Sequence, residues 1–234
     1  MTIDLVVFDV AGTTVHDAGN VAAALAAAVR ERGVDVGIDE VEHVMGLAKP
    51  VALRKLLGGS IDDRALQQAF QSFRHHMLEH YLRSPSVRPV DGVEATFFAL
   101  REMGVKIALD TGFDRKILDA ILLRLGWFDV VDFTVASDEV AVGRPAPDMI
   151  RRVMAATGIH DPKRVAKAGD TPIDMEEGHN AGCGEVIGVL TGTGSTEELE
   201  AAGAHRVIPS VTLLPSVLFD LGEVKPSGFE SARR

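Results

Sequence analysis

The sequence predicts an α/β protein with a Rossmann-like parallel sheet as its core and an inserted α-helical cap subdomain. Short apolar runs alternate with segments of helical period over most of the chain, which is typical of right-handed βαβ units and a parallel sheet. The stretch between the first apolar run and Pro89 contains no convincing strand. With 234 residues, the chain has room for a core of roughly 150 residues and such an insertion.

The first strand is expected at Ile3 to Val10, a short run of β-branched and apolar residues that ends at a Gly-Thr turn. Similar runs predict the other strands at Val105 to Leu109, Asp129 to Val135, Val165 to Ala168, Val186 to Leu190 and Arg206 to Ile208. Helices are expected at Gly92 to Met103, Pro147 to Thr157 and Asp174 to Ala181.

The cap is expected at residues 17–85, which leaves a discontinuous core of residues 1–16 and 86–234. Helical periodicity in this insertion covers Val21 to Arg32, Pro50 to Leu57 and Asp62 to Arg83. The Ser-Pro-Ser step at 84–86 and the following Arg-Pro step suit a linker that returns to the core.

Composition excludes several classes of partner. A formal net charge of −10 and a pI near 5.2 argue against nucleic acid, because phosphate backbones require a basic face. No apolar stretch approaches the ~20 residues that span a bilayer, and the start resembles a buried strand more than a signal peptide. The single cysteine, Cys183, cannot form an intramolecular disulfide. We expect a cytoplasmic protein without membrane or nucleic-acid partners, and an anionic small molecule stays possible where cations or a metal are local.

Polar residues follow four of the predicted strands, at the sheet edge where open α/β sheets bind ligands. They are Asp9, the segment Asp110-Thr111-Gly112, the loop Gly143-Arg144-Pro145 and the segment GDTPID at 169–174. A single strand-end aspartate is usually a turn or helix-capping residue. Four such groups at one edge together predict a functional site.

The residue types at this edge indicate phosphoryl transfer. Asp9 and Asp170, with Asp174 one helical turn further on, offer the hard oxygen ligands that Mg²⁺ prefers. Thr111 and the backbone N–H groups around Gly112 suit phosphate oxygens at a helix N-terminus. Arg144 could bind two of those oxygens at once. The combination predicts attack of Asp9 on phosphorus, with the metal and Arg144 neutralising the charge.

The order of these motifs resembles the haloacid dehalogenase superfamily, with Asp9, Thr111, Arg144 and GDTPID as its four motifs. The resemblance implies a Rossmann-like core, a helical cap after the first strand, Mg²⁺ and an aspartyl-phosphate intermediate. It further implies metal ligands from Asp9, the Ala11 carbonyl and Asp170, with Asp174 behind them or bound through water. The implied contacts to the substrate and its phosphate come from Gly12, Thr13, Met45, Gly46, Thr111, Gly112 and Arg144.

Two departures point to one branch of the superfamily. The usual phosphatase pattern has a second aspartate, a general acid, where this chain has Ala11, and a lysine where it has Arg144. The segment DVAGT at 9–13 resembles the DxAGT motif of the phosphonoacetaldehyde hydrolase (phosphonatase) branch. The cap segment MGLAK at 45–49 resembles that branch's cap motif, which makes Lys49 the expected Schiff-base lysine.

Cleavage of a C–P bond explains why this set of residues differs from that of a phosphatase. The bond has no bridging oxygen, so an acid at position 11 would have nothing useful to protonate. An iminium formed by Lys49 and an aldehyde can instead accept the bonding electrons, provided that the amine is partly neutral. We therefore expect a closed cap that lowers the pKa of Lys49.

The resemblance is incomplete and leaves alternatives open. Phosphonatases have a histidine where this chain has Ala52 and a tyrosine where it has Phe113, so the proton-transfer group is unassigned; His43, His75 and His76 lie in the predicted cap. The substrate could be a relative of phosphonoacetaldehyde. The main alternative is a phosphatase for a small ester such as phosphoglycolate, and a remote one is a non-catalytic phosphate-binding module. A homodimer is implied by the resemblance alone.

Overall fold

The protein is described here by a computed structural model that covers residues 2–219. Its core is one sheet of six parallel strands in the order β3-β2-β1-β4-β5-β6. The strands are β1 (Leu5–Phe8), β2 (Lys106–Thr111), β3 (Phe133–Ala136), β4 (Val165–Gly169), β5 (Glu185–Val189) and β6 (Arg206–Ile208). The parallel α/β fold predicted from the alternation of apolar runs and helices is confirmed.

The third strand begins later than the sequence pattern predicts. Residues 128–132 form turns and bends, and β3 starts at Phe133 instead of Asp129. The carboxylate of Asp132 accepts a hydrogen bond from the backbone N–H of Ile107 at 2.8 Å. The N–H of Asp132 in turn donates to the carbonyl of Ile107 at 2.7 Å, and the register of β2 and β3 begins one residue later, at Ala108 and Phe133.

Ten α-helices surround the sheet within residues 2–219. They are α1 (Asn20–Arg30), α2 (Ile38–Glu42), α3 (Lys49–Leu57), α4 (Asp63–Arg83), α5 (Val93–Glu102), α6 (Arg115–Leu125), α7 (Asp148–Thr157), α8 (Pro172–Ala181), α9 (Thr196–Ala201) and α10 (Leu214–Phe219). Helices α2, α9 and α10 were not predicted from the periodicity, and α6 was expected only as a helix N-terminus near Gly112. No helix in this part of the chain is both long and apolar enough to cross a membrane.

The first four helices lie between β1 and β2 in the chain and pack on one another, α1 and α3 both against α4. The apolar core of this part includes Leu25, Leu53, Phe73 and Met77, all buried. The limits of the cap at 17–85 stay a prediction, because helix packing alone does not define a domain boundary.

The side chains of successive residues in β1 pack on opposite faces of the sheet. Val6 and Phe8 belong to the larger apolar cluster, where the ring of Phe97 meets the edges of Phe8 and Trp127 at 5.2 and 5.5 Å. Val7 belongs to the smaller cluster on the other face. Strands buried on both faces are what a parallel sheet between two helix layers requires.

The strand register brings the ends of three strands to one level. Phe8 is paired with Leu109 of β2 on one side and with Ala168 of β4 on the other. The next residues, Asp9, Asp110 and Gly169, are therefore neighbours across the sheet. The carboxyl edge thus gathers the polar segments that the sequence places after separate strands.

Candidate active site

Asp9 is the first residue after β1 and is held on both its backbone and its side chain. Its N–H donates to the carbonyl of Ala168 at 2.9 Å, and the hydroxyl of Thr14 donates to its carbonyl at 3.0 Å. Oδ1 accepts from Nη1 of Arg144 at 2.6 Å. Burial raises the pKa of Asp9 to about 6, and the charge of Arg144 opposes that shift.

The guanidinium of Arg144 is surrounded by carboxylates. Nη1 lies 2.6 Å from Asp9 and 2.9 Å from Asp174, and Nη2 contacts both the carboxylate and, at 2.8 Å, the carbonyl of Asp110. Nε lies 3.1 Å from Oε2 of Glu177. Both terminal nitrogens therefore contact protein oxygens. The predicted binding of two phosphate oxygens by Arg144 would compete with these contacts.

A second buried cation, Lys167, completes the cluster and was not among the expected site residues. Its Nζ lies 2.5 Å from Asp110, 3.1 Å from Asp174 and 3.0 Å from Glu177. Burial and Arg144 favour its neutral form, but the three carboxylates prevail and raise the pKa of Lys167 above its ordinary value. A charged residue within the apolar strand VAKAG was the signal that the sequence offered.

Asp9, Asp110 and Asp174 bring carboxylate oxygens within 4.8 Å of one another, but protein cations already occupy this triad. Oδ1 of Asp174 contacts both Arg144 and Lys167. Its Oδ2 accepts from the hydroxyl and the N–H of Thr171 at 2.6 and 3.2 Å. Asp174 thus has few lone pairs left for a metal, and its expected role behind the direct ligands or through water stays a prediction.

The other predicted metal ligands, Asp170 and the Ala11 carbonyl, have more oxygen lone pairs available for a divalent cation than Asp174 has. Asp170 accepts one hydrogen bond on each oxygen, from Thr13 at 2.9 Å and from the N–H of Thr193 at 3.0 Å. Burial and the neighbouring charge of Asp9 raise the pKa of Asp170 to about 8. The Ala11 carbonyl accepts no hydrogen bond within residues 2–219. Asp9 and Asp170, whose charges repel each other, and the Ala11 carbonyl all offer hard oxygen atoms of the kind that Mg²⁺ binds.

Gly12 and Thr13 form the wall of the site beside Asp170. Gly12 has a φ of +92°, and a Cβ there would lie 2.6 Å from Oδ2 of Asp170. The Gly12 carbonyl accepts a 2.6 Å hydrogen bond from Thr191. Only glycine combines this backbone conformation with the close approach of Asp170. The predicted phosphate contacts of Gly12 and Thr13 remain predictions.

Thr111 is the last residue of β2, and Gly112 follows it directly below the cap. Thr111 is buried, and its Oγ1 accepts from the N–H of Phe113 at 3.2 Å. A Cβ on Gly112 would lie 2.5 Å from the carbonyl oxygen of Leu47 and 2.9 Å from that of Gly46. The absence of a side chain at Gly112 therefore lets the cap loop rest directly on the core.

The cap loop also contacts the fourth motif. Gly46 has a φ of +82°, and a Cβ there would lie 2.5 Å from Oγ1 of Thr171. Met45 is buried and lines a cleft of about 250 Å³ together with Thr171 and Ile173. The predicted substrate contacts Met45 and Gly46 thus lie where the cap closes on the core.

Lys49 is the first residue of α3, and only 4% of it is exposed. Its N–H donates to the carbonyl of Gly112 at 3.2 Å, and its Nζ lies 5.2 Å from the centre of the Phe113 ring. Burial lowers the pKa of Lys49 to about 8, against the opposing charge of Asp9. A buried, easily neutralised amine at the cap–core contact is unusual for lysine, which rarely leaves the surface.

Phe113 inserts its ring between cap side chains. It stacks on Phe73 at 6.3 Å and meets the edge of Tyr81 at 5.9 Å. Ala52, where phosphonatases have a histidine, is fully buried. Tyr81 is buried as well and was not among the expected site residues.

The cap histidines form surface contacts. His43 is close to the backbone carbonyl of Asp39, and His76 lies 3.1 Å from the carboxylate of Glu31. His75 packs against His76 with ring centres 6.0 Å apart. His43 and His75 are exposed and His76 is half-buried, and none of the three has a hydrogen bond or ion pair with Lys49 among residues 2–219.

Comparison with known proteins places this geometry in a family. A family model described as haloacid dehalogenase-like hydrolase matches residues 3–182. A phosphonoacetaldehyde hydrolase of Latilactobacillus sakei is 30% identical, over 92% of this chain and 95% of its own. One from Bacillus cereus is 32% identical over 85% of this chain and 81% of its own.

Solved structures agree on the fold. A hydrolase from Pseudomonas syringae superposes with a TM-score of 0.84 at 20% identity, over 95% of this chain and all of its own. A phosphonoacetaldehyde hydrolase-like protein from Oleispira antarctica gives a TM-score of 0.82 at 23% identity, over 94% of this chain and 92% of its own. The chain therefore belongs to the haloacid dehalogenase-like hydrolases and is an enzyme of their phosphonoacetaldehyde hydrolase-like branch.

Proposed function

We propose that this enzyme is a Mg²⁺-dependent hydrolase that cleaves the C–P bond of phosphonoacetaldehyde or a related 2-oxoalkylphosphonate. Lys49 would form a Schiff base with the carbonyl, and Asp9 would accept the phosphoryl group. The names of the curated relatives support this substrate class.

The burial of Lys49 is the observation that carries the proposal. A lysine that only attracted an anionic substrate would serve best as a permanent, exposed cation. Burial instead lowers the pKa of Lys49 to about 8, so that a useful fraction of the amine is neutral near pH 7. Neutral amine is the form that adds to a carbonyl.

The reaction balances with the groups present. The Lys49 amine adds to the aldehyde and loses water to give an iminium. An oxygen of Asp9 then forms a bond to phosphorus as the C–P bond breaks, and the bonding electrons pass into the iminium to give an enamine. Protonation at carbon and hydrolysis release acetaldehyde and restore Lys49. Water finally cleaves the aspartyl phosphate and restores Asp9.

The other residues at this edge of the sheet would orient Asp9 and bind the phosphoryl oxygens and the metal. Arg144 holds one oxygen of Asp9 at 2.6 Å, which leaves the second oxygen for attack. The hydroxyl of Thr111 and the N–H groups beside it suit phosphoryl oxygens. Asp9, the Ala11 carbonyl and Asp170 would hold Mg²⁺, which when bound reduces the repulsion between the attacking carboxylate and the anionic substrate.

Ala11 separates this proposal from the phosphatase alternative. Hydrolysis of a phosphate ester releases an alkoxide, which a general acid must protonate. Ala11 offers only a methyl group at the position where the usual phosphatase pattern supplies that acid. Without this acid, P–O cleavage lacks a proton donor for its alkoxide leaving group, whereas P–C cleavage releases no alkoxide and does not need one.

Borohydride trapping tests the proposal. The protein is incubated with Mg²⁺ and phosphonoacetaldehyde, with and without borohydride, and acetaldehyde, phosphate and the mass of the protein are measured. We expect acetaldehyde and phosphate in equal amounts, and a reduced adduct on Lys49. The adduct should be absent in Lys49→Arg and present in Lys55→Arg, which changes an exposed lysine of the same helix.

Other outcomes would contradict the proposal. Rapid hydrolysis of phosphoglycolate by both wild type and Lys49→Arg, with no trapping, would establish the phosphatase. Absence of turnover with both substrates in folded protein would favour a binding module.

A further inference from the structure

The buried cation Lys167 lies in the middle of β4, behind the residues that would face a substrate. Its side chain is fully buried, and its Nζ contacts the carboxylates of Asp110, Asp174 and Glu177 at 2.5, 3.1 and 3.0 Å. None of the steps proposed above uses Lys167. A buried lysine is costly in free energy unless its charge is fully compensated, so its presence requires a reason.

The same three carboxylates also hold Arg144. Asp110 bonds Nη2, Asp174 lies 2.9 Å from Nη1, and Glu177 lies 3.1 Å from Nε. Arg144 and Lys167 therefore contact the same three acidic side chains. Of the acidic groups around Arg144, only Asp9 lacks a contact with Lys167 among the ion pairs of residues 2–219.

Charge explains why one cation would not suffice. The side chain of Arg144 touches four buried carboxylates, and a single guanidinium leaves most of their mutual repulsion uncompensated. Without a second cation the negative charges of this cluster would repel one another and drive the side chains apart, which would weaken their hold on Arg144. Lys167, which forms no ion pair with Asp9 among residues 2–219, supplies the second positive charge.

Backbone packing fixes Lys167 in this position. Helix α8, which carries Asp174 and Glu177, crosses β4 at Gly178. A Cβ on Gly178 would lie 3.0 Å from Cβ of Lys167 and 2.9 Å from Val186. The helix thus rests directly on the stem of the lysine, and the ammonium reaches two acidic groups of α8 and one of β2 at once.

We propose that Lys167 is a positioning residue for phosphoryl transfer: it fixes Asp110 and Asp174, which in turn hold Arg144 against Asp9. The inference rests on the proposed role of Asp9 as the nucleophile. The ion pairs of Lys167 within residues 2–219 are with Asp110, Asp174 and Glu177, so it would act on the reaction through these carboxylates. Its loss should affect the chemical step more than substrate binding.

The test measures catalysis and the state of Asp9 separately in Lys167→Met. Beryllium fluoride with Mg²⁺ mimics a phosphoryl group on an aspartate, and fluorine NMR reports the adduct. We expect kcat with phosphonoacetaldehyde to fall about 10- to 100-fold, with KM changed less than about threefold. The adduct should weaken in parallel. Lys106→Met, which removes an exposed lysine at the first residue of β2, should behave as wild type.

Each other result has a defined meaning. Wild-type kcat and adduct in folded Lys167→Met would overturn the inference, as would a lower melting temperature with unchanged kcat. If Lys167→Met does not fold, Lys167→Gln, which keeps hydrogen bonds and lacks the charge, takes its place. Failure of both to fold would make Lys167 a folding residue and overturn the inference. Absence of adduct and of acetaldehyde with wild type would instead refute the proposed function.

Discussion

Asp9 and Arg144 are 135 residues apart in the sequence, and in the fold Oδ1 of Asp9 accepts a 2.6 Å hydrogen bond from Nη1 of Arg144. Both side chains are buried. The bond restricts the carboxylate to one orientation at the end of β1. An orientation fixed before the substrate arrives lowers the entropic cost of the attack on phosphorus.

Replacement of Arg144 by methionine should affect stability and catalysis together. The change leaves Asp9, Asp110 and Asp174 buried with one fewer cation. We expect about 3–5 kcal/mol less free energy of unfolding and a loss of turnover of about 10²-fold or more. Urea denaturation and steady-state kinetics measure the two effects.

Arg164→Met provides the control for the loss of an arginine. The pair Arg164–Asp4 is half-exposed, so it should contribute below about 1 kcal/mol. Equal destabilisation by the two variants would contradict the buried network around Arg144.

The rate of Schiff-base formation should rise with pH. Because burial lowers the pKa of Lys49 to about 8, the amine is mostly charged at pH 6.5 and mostly neutral at pH 9. Initial rates of borohydride trapping should therefore increase through this range and level off above about pH 8.5. A rate that continues to rise up to pH 10.5 would show that Lys49 keeps an ordinary pKa.

Gly112→Ala should loosen the contact between cap and core. The new Cβ would lie 2.5 Å from the carbonyl oxygen of Leu47, so the cap loop must move away. We expect water to reach Lys49, its pKa to rise and trapping at pH 7 to slow, with a loss of about 1–3 kcal/mol in stability. Gly59→Ala is the matched control, because no heavy atom lies within 4 Å of a Cβ there. Identical trapping by both variants would contradict the role of cap closure.

Ala11→Asp should shift the enzyme towards phosphate esters. The new carboxyl would stand where the usual phosphatase pattern has its general acid, and such an acid contributes about 10²- to 10⁴-fold. We expect kcat/KM for phosphoglycolate to rise by at least about tenfold, and no rise in Ala11→Asn, which has the same shape without the acid. An unchanged ester activity in Ala11→Asp would mean that Ala11 does not decide the reaction type.

The sequence predicted the sheet because its signals are local. Apolar β-branched runs separated by helix-length segments indicate parallel strands, and residues that follow such runs must meet at one edge. Asp9, Thr111, Arg144 and Asp170 were identifiable on this basis. The short helices α2 and α9 were not predicted, because five or six residues are too few for a helical periodicity to be recognised.

Some features were decided by the tertiary structure alone. The resemblance made Lys49 an expected site residue, but the contacts that bury it, with the carbonyl of Gly112 and the ring of Phe113, are visible only in the structure. Lys167 and Glu177 become part of the site only because α8 packs on β4 at Gly178. The sequence by itself determined which chemical groups the sheet edge carries. Tertiary structure decided their burial and charge environment, because both arise from contacts between segments that are distant in the chain.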